Sequence, residues 1–318
     1  MKITVLGGGE SNERAVSAAS AAAVANALRA LGHSVDEIDP AVWPRAATFA
    51  AQIGVDAPPA AEAKQLEADF RSNLGSAAFW ADIDGDVVFL ALHGGIGESG
   101  ELKALLEQRG STSTGVRSEV MARSWDKADT IAALAAASVP VPRSFATPPD
   151  RTACIVKPAL DGSSINVFKC ADAGEIEAAI ARIDGPVLIE EFLPGAEFTV
   201  GVVGARVLPP VLIEPGDGWF GYAAKYQPGG SREICPAPVD PALNDRLMDL
   251  ATQSMYALGY GDTSYGRVDL MLDATGAPRV LEVNSLPGLT GASLLPLAAG
   301  AAGWDFPALC QEILRLAT

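Results

Sequence analysis

Short apolar runs alternate with stretches of helical periodicity at the start of the chain. Residues 3–6 are continuously apolar and read as a buried strand, after which Gly7-Gly8-Gly9 turns the backbone. Residues 13–31 are rich in alanine and set Val16, Val24, Leu28 and Leu31 on one helical face, with the small Ser20 filling the row. Gly32 closes that helix, and residues 34–38 read as a second strand. Strand, loop, helix and strand in this order open a parallel α/β domain. Residues 86–92 are another buried strand, ending at His93-Gly94-Gly95, and a helix over 99–108 stops at Gly110. Between them, residues 41–85 hold only weak helical patterns around Ala57-Pro58-Pro59-Ala60 and read as a peripheral insertion. Helical text at 127–137 leads into Val139-Pro140-Val141-Pro142, a linker.

The rhythm then changes. Residues 153–157 and 165–169 read as strands around a Gly/Ser loop, followed by a helix over 173–183. Further strands are predicted at 187–190, 197–203 and 207–214, a long Gly-rich loop at 215–235 and a helix at 241–258. A hairpin of 267–272 and 279–283 closes around Asp273-Ala274-Thr275-Gly276, and helical text ends the chain.

Composition narrows the classes. The 318 residues carry a formal net charge of -16, which disfavours nucleic acid as a partner because phosphate contacts need basic surface. The length suits two or three domains. No apolar run approaches a membrane span, and the one before Gly7 is too short for a signal peptide, so a cytoplasmic protein is expected. Cys154, Cys170, Cys235 and Cys310 are scattered without a C-x-x-C pair, which suits reduced thiols and neither a zinc site nor a disulfide framework.

The hairpin carries the most chemistry. If Leu272 pairs with Arg279, Asp269 lies opposite Glu282, and Asn284 shares their face two residues on. Two carboxylates and an amide oxygen are hard ligands suited to Mg2+, although a solvated hairpin face gives the same pattern. Arg267, beside Asp269, either counters developing negative charge or forms a salt bridge. Lys157 before Gly162-Ser163-Ser164 offers an ammonium, hydroxyls and N–H groups to a polyphosphate; a plain turn is the alternative. Asn12 interrupts the G-x-G-x-x-G pattern, which argues against a nicotinamide cofactor. Glu13 and Ser17 lie one turn apart at a helix start, facing a crevice, unless Glu13 merely complements the helix dipole. His93 ends a buried strand, where α/β sheets place ligands, and a hydrogen-bonded turn histidine is the competing reading.

In order, GGGESNERAVS, ALHGGIGESG, KPALDGSS, IEEFLPGAEFTV, AAKY, GRVDLMLD and LEVNSLPGLTGASLLP resemble the motifs of D-alanine–D-alanine ligases of the ATP-grasp superfamily. Ser99 replaces an acid of that pattern, and Asn166 a glycine. The resemblance implies an α/β ATP-grasp fold: an N-terminal parallel α/β domain (1–115), then central (116–190) and C-terminal (191–318) α+β units enclosing the nucleotide. It implies that Lys127, Lys157 and Lys225 meet ATP phosphates, Glu190 and the Leu193 backbone the adenine, and Glu197 the ribose. Asp269, Glu282 and Asn284 would bind two Mg2+, with Mn2+ as a substitute. Glu13 would hold the first D-alanine, linked through Ser163 and Tyr226, with Ser17 and His93 also near substrate. Ser293 and Leu294 would receive the second D-alanine, and Arg267 and Gly288 the oxyanion. The Lys225-Tyr226 pair favours amide over ester products, while Gly291-Ala292 leaves D-serine, D-lactate or another acceptor as the alternative. A homodimer is expected.

Overall fold

The computed structural model describes all residues except 46–48, 50–57, 148, 150–152, 163 and 217–229. The chain begins with β1 (Lys2–Leu6), α1 (Arg14–Ala30) and β2 (Ser34–Ile38), and β3 (Val87–Leu90) completes a parallel sheet in the order β2-β1-β3. β1 is central, so the connections leave to opposite sides and open a crevice beyond the carboxyl ends of β1 and β3, where such sheets bind ligands. Gly7-Gly8-Gly9 and the loop 91–94 line that crevice by position. α1 is buried along most of its length because its Ala and Ser side chains allow close packing on the sheet.

The described helices within 41–85 are not peripheral. α2 (Ala60–Leu74) and α3 (Ala77–Asp82) bury Leu66, Phe70, Leu74, Phe79 and Trp80 in the main core. Leu66, Phe70 and Leu74 recur every four residues, an apolar stripe diluted by the alanines and charges around it. The helix expected over 99–108 is present as α5 (Glu101–Gln108), preceded by a single extra turn, α4 (Gly95–Glu98), and α6 (Ser118–Trp125) precedes α7 (Lys127–Ala136).

A second sheet, antiparallel in the order β5-β4-β6, comprises β4 (Cys154–Pro158), β5 (Phe168–Cys170) and β6 (Val187–Glu191), with α8 (Ala173–Ile180) against it. Its apolar cluster of Cys154, Val156, Cys170, Ile176, Ala179 and Ile183 is separate from the main core. β5 starts three residues later than expected because Ser164 and Asn166 take left-handed backbone conformations incompatible with a strand.

The third sheet contains β7 (Glu197–Val203), β8 (Arg206–Val207), β9 (Val211–Pro215), β10 (Ser231–Ile234), β11 (Tyr265–Leu272) and β12 (Pro278–Asn284). Its order is β10-β9-β7-β11-β12, with β8 beside β7. The strand expected over 207–214 is divided because Pro209 and Pro210 have no N–H to donate to a ladder. α9 (Pro241–Leu258), α10 (Leu294–Ala301) and α11 (Phe306–Ala317) pack around this sheet, and one continuous core joins it to the first sheet. Among the described residues, no helix is long and apolar enough to cross a membrane.

Candidate active site

Two adjoining cavities, of about 110 Å³ and about 260 Å³, lie where the three sheets meet. Lys127, Asp161, Gly162 and Glu282 line both. The smaller takes Glu13, His93, Glu98, Arg267, Asn284, Gly288, Ser293 and Leu294; the larger takes Lys157, Glu190, Leu193, Glu197 and Asp269. Ser163, Lys225 and Tyr226 lie outside the described residues.

At the first-sheet end, Glu13 occupies the N-cap of α1 but makes no side-chain capping bond, so its carboxylate is directed into the cavity wall. Gly162 approaches so closely that a Cβ there would overlap Glu13 Oε2. Ser17 is fully buried and donates to the Ala91 carbonyl at 3.0 Å; it ties α1 to the strand end and does not line either cavity. His93 Nδ1 lies 3.0 Å from the Leu286 carbonyl, which can only accept, so Nδ1 carries the proton. Nε2 then accepts from Ser20 Oγ at 3.0 Å, and Ser20 Oγ accepts from Leu289 N–H at 3.2 Å. Burial lowers the pKa of His93 and keeps the ring neutral. Both ring nitrogens are thus occupied within the wall.

The hairpin delivers the expected face by a different route. Asp269 pairs with Glu282 and Arg267 with Asn284, but beyond a bulge Leu270 pairs with Val280 and Leu272 with Pro278, not Arg279. Leu281 is the extra residue, and it reaches the larger cavity. Val268, Leu270, Val280 and Val283 are buried on the opposite face. Arg267 grips Asp269 through two 2.8 Å bonds, from Nε to Oδ1 and Nη2 to Oδ2, and Thr199 donates to Oδ1 at 2.6 Å. Arg267 is thus in a salt bridge while it also lines the smaller cavity. Glu282 Oε2 is 3.9 Å from Lys127 Nζ, which also donates to the Asp161 carbonyl. Asn284 Oδ1 is buried and has no hydrogen-bond partner. A buried oxygen without a donor suits a cation, and the pair of carboxylates beside it completes a hard donor set. Among the described residues, no group of three or more His, Cys, Asp and Glu side chains gathers for a metal, so the third donor of this set is the Asn284 amide oxygen.

In the larger cavity, Lys157 on β4 and Glu190 on β6 form a 2.5 Å ion pair, both almost wholly buried. Glu190 Oε1 is buried without a partner and presents an acceptor to a ligand. Leu193 is buried, and Glu197 begins β7 beside it. At the other end, Ser293 is the N-cap of α10, yet its Oγ accepts from Thr290 N–H at 3.0 Å and leaves the first-turn N–H groups uncapped by a side chain. Gly288 lies against it: a Cβ there would stand 2.7 Å from Ser293 Oγ.

Sequence reasoning missed several lining residues. Glu98 is buried between Glu13 and Glu282 and accepts from Gly94 N–H at 2.9 Å. Burial, then the charge of Glu13, pushes its carboxyl up to about 8. Its signal was in the text: an acid one turn after a strand-ending His-Gly-Gly. Asp161, Leu281, Glu233 and Thr290 also line the cavities. Beside the largely protonated Glu98, the smaller cavity holds Glu13, Asp161, Glu233 and Glu282 against Lys127 and Arg267, an acidic balance that attracts cationic ligands.

The family models described as D-ala D-ala ligase N-terminus and D-ala D-ala ligase C-terminus match residues 2–116 and 151–315. The D-alanine–D-alanine ligase of Methylacidiphilum infernorum is 32% identical over 322 residues, spanning 99% of this chain and 94% of the relative. That of Laribacter hongkongensis is 36% identical over 329 residues, spanning 99% and 96%. Among solved structures, D-alanine–D-alanine ligase from Bacillus anthracis complexed with ATP gives a TM-score of 0.78 at 24% identity, covering 100% of this chain and 97% of that one. The VanG D-Ala:D-Ser ligase from Enterococcus faecalis gives 0.77 at 24% identity, covering 100% and 99%. The likeness of fold bears out the α/β ATP-grasp architecture. With both halves matched in order and relatives of this identity along the full length, the chain belongs to the D-alanine–D-alanine ligase family.

Proposed function

We propose that the protein joins two D-alanines into D-alanyl-D-alanine at the expense of ATP, through an acyl phosphate, for peptidoglycan precursors. The observation that carries this is the junction of the two cavities, where Asp269, Glu282 and Asn284 share one face of the hairpin. On this reading residues 1–115 bring the first amino acid, and 116–190 and 191–318 enclose the nucleotide. The larger cavity receives ATP: Lys127 and Lys157 meet phosphates, joined by Lys225, the Glu190 oxygen and the Leu193 backbone meet adenine, and Glu197 meets ribose. Glu13 holds the first ammonium, with Ser163 and Tyr226. The uncapped start of α10, through Ser293 and Leu294, receives the second carboxylate.

A carboxylate does not react with an amine at neutral pH because oxide would have to leave. Transfer of the γ-phosphoryl group gives an acyl phosphate, from which phosphate departs instead. The lysines neutralise charge that would repel the attacking carboxylate. Mg2+ or Mn2+ held by Asp269, Glu282 and Asn284 would supply further neutralisation at the phosphates. The second amine, deprotonated, then attacks the acyl carbon, and Arg267 with the Gly288 backbone stabilises the oxygen of the tetrahedral intermediate. His93 acts through the loop it holds and Ser17 through α1, both supporting the substrate wall. Gathering both amino acids in one cavity supplies much of the rate.

The test is phosphate release from ATP and Mg2+ with paired D-amino acids. D-alanine alone sustaining turnover supports the assignment; dependence on D-serine or D-lactate as second substrate would shift it to another acceptor. The same reading includes a cytoplasmic homodimer, for which sedimentation analysis tests the assembly.

A further inference from the structure

We infer that Glu233 recognises the ammonium of the acceptor amino acid and so helps select amines over hydroxy acids; this rests on the ligase reading above. β10 places Ser231 and Glu233 on one face and Arg232 on the other, where Arg232 pairs with Glu214 at 3.4 Å. Glu233 stands opposite Ile213, and Ile213 lines the nucleotide cavity, so the Glu233 side is the cavity side of the sheet. Its side chain lines the smaller cavity together with Thr290, Ala292, Ser293 and Leu294.

Three relationships assign it to the acceptor. Ser231 Oγ donates to Glu233 Oε1 and fixes the carboxylate on that face. The cations of this cavity are committed elsewhere, Arg267 to Asp269 and Lys127 to Glu282 and the Asp161 carbonyl. Among the described residues, no Lys or Arg forms an ion pair with Glu233. A zwitterionic acceptor whose carboxylate lies at the start of α10 carries its own cation into the same cavity. A carboxylate attracts that ammonium strongly, and it gives a hydroxyl only an ordinary hydrogen bond. Glu13, at the opposite end beside Gly162, is left to the first amino acid.

The experiment compares wild type with Glu233→Gln and Glu233→Leu, measuring KM for the first and second D-alanine and for ATP, and kcat/KM with D-lactate as acceptor. In Glu233→Gln the second-site KM rises about tenfold, as for one lost charge-assisted hydrogen bond, while kcat and the other two KM values stay within about twofold. Glu233→Leu exceeds that effect, and D-lactate use falls less than D-alanine use in both, by no more than about fivefold, so discrimination between amine and hydroxyl falls. An unchanged second-site KM in Glu233→Gln, with an active wild type, overturns this assignment alone. Absence of D-alanine-dependent phosphate release from wild type overturns the ligase reading, and this inference with it.

Discussion

Asp269 stands opposite Glu282 on neighbouring strands, although the pairs on the turn side of them run one residue out of step. The step is absorbed at Leu281, where two residues of β12 answer one of β11. Glu282 and Asn284 therefore keep the cavity face while Val280 and Val283 both stay in the core. Bulged strands add a side chain to a face without disturbing the alternation on either side, and here that side chain is an apolar wall of the larger cavity.

Leu281→Ala removes that wall and leaves the carboxylates in place. ATP affinity should fall about five- to twentyfold, the scale of two methylene groups taken from an apolar contact. The KM values for D-alanine should not move. Steady-state kinetics with each substrate varied in turn would show whether Leu281 serves the nucleotide or both sites.

Glu282→Gln and Asn284→Ala should each lower kcat by about 100- to 1000-fold, since they remove charge or donor atoms aimed at the reacting phosphates. Because Glu282 is partly exposed and Asn284 Oδ1 bonds nothing in the protein, Tm should change by no more than about 2 °C. Excess chelator should silence the wild type equally, with recovery on adding Mg2+. Activity close to wild type in either variant would show that the cation site has been misplaced.

Gly162→Ala probes the other end. A methyl group at 162 must push the Glu13 carboxylate aside, and a flexible side chain can yield without unfolding its surroundings. The first-site KM should rise about tenfold or more, with ATP binding and the melting temperature nearly unaltered. A rise confined to the second site would reverse the order of the two amino-acid positions.

Glu98 gives a pH dependence with a definite sign. Its carboxyl ionises at about 8 in the folded protein against 4.5 for the ordinary group. Between those values the unfolded chain binds fewer protons than the folded one, so stability falls as pH rises through the interval. Glu98→Gln retains shape without ionising, so it should melt above wild type at pH 8, with the gap closing towards pH 5. Calorimetry of the protein without nucleotide or metal checks this; a pH-independent gap would mean that Glu98 is already charged when folded.

Much of this was legible in the text because alternation and helical spacing depend on geometry alone. The strand over Glu197–Val203 and the helix over Pro241–Leu258 have the bounds expected of them, and the hairpin face holds the expected residues. The bulge was not legible: nothing in Val280-Leu281-Glu282 distinguishes an extra residue from a regular one. β10 was hidden inside glycine-rich text, and with it Glu233. The helices over 60–82 were hidden by alanines and charges that dilute the stripe of Leu66, Phe70 and Leu74. The burial of Glu98 is not written in its neighbours, because the charged groups around it, Glu13, Glu282 and Lys127, come from segments distant in sequence.

The ring of His93 binds the loop at 286–289 to the first sheet through Leu286 and, by way of Ser20, Leu289. Two stretches nearly two hundred residues apart along the chain are thereby pinned to each other. On the proposed reading, the donor pocket is anchored on one stretch and the acceptor pocket on the other. The spacing between two molecules that have to meet head to tail is consequently set by a neutral imidazole that neither of them needs to touch.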